Sequence, residues 1–120
     1  MSISSVDELL KRTLNIIQGE DRLVKITLFR GECVPYDLST VTEITAMFRK
    51  QDGGYLVKKL SLLEVSISNP AAGKIQISLS DIDTSELRVA KNQDFKIQID
   101  IGAETRIVKF QDCLTVEKCA

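Results

Sequence analysis

The chain has 120 residues, 43% hydrophobic and 28% charged, with a net charge of −1 and neither histidine nor tryptophan. That length supports one domain with a real core, and the near-neutral balance gives no electrostatic case for nucleic acid or an anionic membrane as partner. The missing histidine removes the commonest general base, every Ser-His or Cys-His nucleophile pair and the commonest metal ligand. Aromatic residues are 5% of the chain, so stacking platforms for sugars or bases are scarce.

Met1-Ser2-Ile3-Ser4-Ser5 has no basic head followed by an apolar run, and no stretch is long and apolar enough to span a bilayer. The three cysteines, Cys33, Cys113 and Cys119, are an odd number without a secretion signal. The expectation is free thiols in a reducing cytosol, favoured over an intramolecular bridge, with an intermolecular bridge through Cys119 in an assembled particle as the minor alternative.

In chain order, Ser4 to Gln18 reads as a helix. Val6, Leu9, Leu10, Leu14 and Ile17 recur at three- and four-residue spacing, Ser5-x-x-Glu8 is a capping-box pattern, and Gly19 is placed to end the helix. The apolar stripe either folds back over the sheet or packs on another protein chain. A sandwich buries its own faces and does not need the helix, so residues 1–19 are expected to be an anchor for a partner or for self-assembly, dispensable for folding.

From Gly19 the period changes to two. Strands are expected at Arg22–Arg30, Val41–Lys50 (Ile44, Ala46 and Phe48 inward), Tyr55–Leu60, around Leu63, Val65 and Ile67, and around Ile75, Ile77 and Leu79. Asp52-Gly53 is a hairpin turn and Asn69-Pro70-Ala71-Ala72-Gly73 a second turn. Ser80 to Leu87 holds a single helical turn, through Asp83-x-x-Glu86. Phe95, Ile97, Ile99 and Ile101 mark a sixth strand, and Val108, Phe110, Leu114 and Val116 a seventh. That last phase would turn Asp112 inward, which predicts a bulge near Gln111 to Cys113. The fold expected is all-β: an immunoglobulin-like seven-stranded β-sandwich over residues 20–120 with a short N-terminal α-helix.

Chemistry-bearing constellations are few. The cysteines lack metal-site spacing, Gly53-Gly54 is a hairpin tip, and no carboxylate pair stands out for acid–base work. Asp81, Asp83 and Glu86 lack the third ligand and the glycine of a calcium loop, so helix capping is the better reading. No enzyme, cofactor or metal is expected. Pro35, Tyr36, Asp37 and Leu38 form a structural loop: Pro35 pre-sets a turn, Asp37 bonds its own backbone and Leu38 plugs the sandwich end. Tyr36 and Tyr55 are the scattered aromatic candidates for a ligand-binding or adhesion module, the alternative function.

Pro35-Tyr36-Asp37-Leu38-Ser39 resembles a motif in a family of phage virion proteins, the immunoglobulin-like N-terminal domain of baseplate upper proteins and related tail-fibre modules. Further matching stretches are Gly19-Glu20-Asp21, Val24 to Arg30, Val41 to Arg49, Ala72-Gly73-Lys74-Ile75 and Phe95 to Asp100. The resemblance implies an adaptor that docks to a virion assembly. The turn Gly31-Glu32-Cys33-Val34 departs from the family's Asp-Gly, and no receptor-binding domain follows within 120 residues. A stand-alone baseplate, collar or capsid-decoration subunit is therefore expected. It would be made in the host cytoplasm, be present in several copies among other virion proteins and dock through Val6, Leu9, Leu10, Leu14 and Ile17.

Overall fold

The computed structural model describes residues 14–31 and 34–118. In order these form β1 (Leu14–Ile17), β2 (Arg22–Thr27), β3 (Phe29–Gly31), β4 (Val34–Pro35), β5 (Glu43–Arg49), β6 (Tyr55–Lys59), β7 (Val65–Asn69), β8 (Lys74–Leu79), a short helix α1 (Asp81–Ser85), β9 (Ala90–Ile101) and β10 (Glu104–Glu117). A five-stranded sheet runs β1-β10-β9-β5-β6, a three-stranded sheet runs β2-β8-β7, and β3 and β4 make a small ribbon between them in sequence.

Alternation explains the two-layer arrangement. Val24 and Ile26 of β2 face Ile77 and Ile75 of β8, which face Val65 and Ile67 of β7, so one side of the smaller sheet is a continuous aliphatic surface. The larger sheet answers with Ile44, Ala46 and Phe48, with Ile97 and Ile99, and with Val108 and Phe110, all buried. Phe48, Phe95 and Phe110 stack in series across three adjacent strands, with centroids 5.2 and 4.6 Å apart. The aromatic faces are thus spent inside the core rather than at a surface site.

One expected strand is divided, and one expected irregularity is present. The run Arg22–Arg30 is divided after Thr27: the Leu28 N–H still donates in register to the Gly73 carbonyl at 2.8 Å, but the Leu28 carbonyl accepts from the Tyr36 N–H, and from Phe29 the chain pairs with β4. In β10 the register shifts between Phe110 and Leu114, where the inward phase of Asp112 required a bulge.

The expected helix over Ser4–Gln18 is not formed where the chain is described. Leu14–Ile17 is instead β1, parallel to β10, with Leu14 opposite Leu114 and Ile16 opposite Val116. Ile16 is wholly buried, Leu14 packs against the core, and Ile17 is 39% exposed. The helical spacing of Leu10, Leu14 and Ile17 competes with a two-residue alternation through Leu14 and Ile16. Two consecutive β-branched residues weaken the helix, and the edge of β10 supplies both a ladder and a buried slot for Ile16. Val6, Leu9 and Leu10 lie outside the described residues.

Leu14–Ile17 is therefore part of the sandwich. Ile16→Ala is expected to lower stability by about 3 kcal/mol in urea denaturation. Deleting residues 1–18 should lower the midpoint further, because β10 then loses a neighbour. An unchanged midpoint after deletion would show that β1 contributes nothing to the fold.

Candidate functional site

The loop expected to be structural closes one end of the sandwich. Leu38 is buried and its N–H donates to the Pro70 carbonyl at 2.9 Å, while the Tyr36 N–H donates to the Leu28 carbonyl at 2.8 Å. Tyr36 is half-buried against the core. One Asp37 carboxylate oxygen accepts from the Ser39 N–H (3.0 Å) and from its hydroxyl (2.7 Å). Those two donors hold the Asp37 carboxyl below its usual pKa. Gly73, at φ +68°, lets the turn after β7 pass beneath this loop: a Cβ there would lie 2.3 Å from the Leu28 carbonyl oxygen. Pro35 lies exposed in β4. None of the four lines the cleft described below.

A second network ties the edge of the large sheet to the crossover between sheets. Leu56 and Lys58 share the inward face of β6, so Lys58 enters the gap between layers and is only 8% exposed. Its ammonium meets Asp83 at 2.7 Å and Glu64 at 3.3 Å. Asp83 is also the reciprocal partner in the cap of α1: Ser80 accepts from the Asp83 N–H, and the Asp83 carboxylate accepts from the Ser80 N–H at 2.9 Å. The cap is therefore Ser80, three residues before the Asp83 position that the sequence pattern suggested.

Burial is the largest influence on both Lys58 and Asp83 and opposes their charges. Mutual hydrogen bonding and attraction, joined by Glu64 for the lysine and by Ser80 for the aspartate, outweigh it. The Lys58 pKa is raised and the Asp83 pKa lowered, so each charge is held by the other.

The turn that follows β6 is held from both ends. Glu64 accepts from the Lys59 N–H at 3.1 Å, and Glu43 accepts from the Ser61 N–H at 3.0 Å. Hydrogen bonding from Ser61 is the main reason that the Glu43 carboxyl is held below its usual pKa. Between these anchors the turn presents Leu62 and Leu63, and Leu63 is 91% exposed at φ +62°. A bulky residue in the left-handed region is uncommon and costs about 1 kcal/mol.

The outer face of the large sheet carries a cleft of about 340 Å³ near the β5–β6 hairpin. Arg49 and Met47 of β5, Tyr55 of β6, Lys96 of β9, Lys109 of β10 and Arg88 from the segment after α1 line it. These positions are the outward phase of strands whose inward phase is the core. The periodicity that identified the strands also marks them, but only the cross-strand register brings them together. Tyr55, one of the two aromatic candidates, lies here and Tyr36 does not.

No family model matches the chain, and no curated protein does. Among solved structures the chain is similar to one named "Tim-2", at 9% identity over 88% of this chain and 91% of that one, with a TM-score of 0.37. A likeness this distant carries no argument about function.

The Lys58–Asp83 pair has a definite pH signature. A lowered Asp83 pKa contributes stability above the ordinary carboxylate value of 3.8, lost as pH falls through the folded-state value. A raised Lys58 pKa contributes stability below 10.5, lost as pH rises through its folded-state value. Lys58→Met should therefore cost about 2 kcal/mol at neutral pH, with the gap from wild type closing below about pH 4 and above about pH 10.5. Denaturation curves across pH measure this; a gap independent of pH would contradict the pairing.

Proposed function

We propose that the chain is a non-enzymatic structural subunit of a bacteriophage virion, an assembly adaptor or decoration protein built on an immunoglobulin-like sandwich. The order β1-β10-β9-β5-β6 against β2-β8-β7, with β1 parallel to β10, supports the immunoglobulin-like part of the reading. The resemblance of Pro35 to Ser39 and its flanking strands to phage baseplate modules supports the virion part. Docking through an N-terminal helix is not retained, since Leu14 and Ile17 belong to β1.

The observation that carries the docking role is the turn after β6. Two leucines stand in solvent, one of them in strained backbone, on a turn clamped by Glu43 and Glu64. Strain that the surroundings maintain, at a residue with nothing to bury, points to use by a partner. An apolar knob on a rigid turn suits insertion into a neighbouring subunit. A preformed knob also avoids paying for loop ordering on association.

The test is quantitative mass spectrometry of purified particles from the genome that encodes this chain, complemented with wild type or Leu63→Gly. The wild-type protein is expected in several copies per particle. Leu63→Gly relieves the positive φ, so it should be as stable as wild type or up to about 1 kcal/mol more stable, yet be depleted from particles. A chain absent from particles would overturn the virion assignment, and full incorporation of the variant would overturn the role of the knob.

A further inference from the structure

We infer that the cleft on the outer face of the large sheet binds a short acidic segment of a partner protein, at a site separate from the leucine turn. Its lining holds four cations, Arg49, Arg88, Lys96 and Lys109, against one carboxylate, Asp94. The chain as a whole carries a net charge of −1, so this is a local excess.

The arrangement is one that folding alone disfavours. Lys96 and Lys109 are directly opposite each other on β9 and β10. Like charges at such positions destabilise a sheet, and a carboxylate at either would stabilise it. Asp94 reaches Lys109 at 3.8 Å, which offsets part of the repulsion. On its other side Lys96 has Met47 as neighbour.

The two guanidinium groups are held in place. Arg49 lies 4.9 Å over the ring of its cross-strand partner Tyr55 and donates to the Gly53 carbonyl at 3.2 Å. Arg88 donates from Nε to the buried Gln93 at 3.1 Å, and the Gln93 amide donates in turn to the Arg88 and Ala90 carbonyls. Fixed guanidinium groups with donors to spare favour carboxylates held in a defined geometry.

The rest of the face limits the ligand. Toward the β9–β10 turn the same face carries Glu43 opposite Asp100. Asp100 is four residues from Lys96, about 13 Å along the strand. A long polyanion such as a nucleic acid would run onto these carboxylates. A few acidic side chains would not, and the exposed ring of Tyr55 and side chain of Val57 on β6 offer apolar contact beside them. The inference rests on reading the chain as a docking module.

The test is an amide chemical-shift titration of the full chain with the blocked peptide Glu-Leu-Glu-Glu-Phe at about 50 mM salt. Controls are the same peptide with Gln for Glu, and inorganic pyrophosphate. Saturable shifts are expected at Arg49, Tyr55, Lys96 and Lys109. Binding should fall about tenfold or more in Lys96→Glu and in high salt. The same variant should melt at or above the wild-type temperature, by about 2 °C, because it removes the opposed lysines. No saturable shift, shifts elsewhere on the molecule, equal binding of the Gln peptide, or tighter binding of pyrophosphate than of the peptide would each overturn the inference. Peptide binding by a chain missing from virions would remove only the virion assignment. A chain present in virions that ignores the peptide would remove only the cleft.

Discussion

The Asp83 carboxylate joins the crossover helix to the edge strand of the large sheet. It caps α1 through the Ser80 N–H and at the same time neutralises Lys58, the lysine that β6 turns toward the interior. The alternatives are poor on both sides. Without Asp83, Lys58 keeps only Glu64 in a gap between two apolar layers, and α1 is too short to persist on propensity alone. Further bonds fix the same crossover from the other direction. The Thr84 hydroxyl accepts from the Gly19 N–H and donates to the Glu20 carbonyl, and Asp21 accepts from the Asp81 N–H. The crossover is thus fastened to the turn after β1 and to the far edge of the large sheet.

What lies beyond the crossover inherits its position. The Gln51 N–H donates to the Glu86 carbonyl and the Arg88 N–H to the Arg49 carbonyl, so the segment after α1 is zipped onto the β5–β6 hairpin. That zipping brings Arg88 beside Arg49 and forms one wall of the basic cleft. On the other side, Glu64 links Lys58 to the turn that displays Leu62 and Leu63. The two surfaces proposed for partners, one apolar and one basic, are therefore supported by neighbouring parts of one polar network. Beneath them Phe48, Phe95 and Phe110 stack on one another in the core, and of the three only Phe95 also lines the cleft.

Much of the sandwich was legible from alternation. Phe95 to Ile101, Ile44 to Phe48 and Ile75 to Leu79 each show the two-residue period of a half-buried strand, and the awkward phase of Asp112 marked the irregularity in β10. Strand β1 was not legible, because its reason to exist is a parallel pairing with Leu114 to Glu117, about a hundred residues away in sequence. Locally, Leu14 and Ile17 fit a helical stripe equally well. Lys58 was half legible: its phase with Leu56 turns it inward, but nothing in the sequence names Asp83 as its counter-ion. The cleft was hidden for a similar reason, since the opposition of Lys96 and Lys109 exists only once the register of β9 and β10 is known. The strained Leu63 is a property of backbone geometry that residue type would argue against.

The Lys58–Asp83 contact holds the crossover, and through it the wall of the cleft. Native-state hydrogen exchange on wild type and Lys58→Met tests it directly. Protection should fall selectively at the Gln51, Thr84 and Arg88 amides, which hold α1 and the segment after it. Amides within β2 and β8 should exchange as before, since their ladder does not depend on this contact. Uniform loss of protection across both sheets, or no change at those three amides, would contradict it.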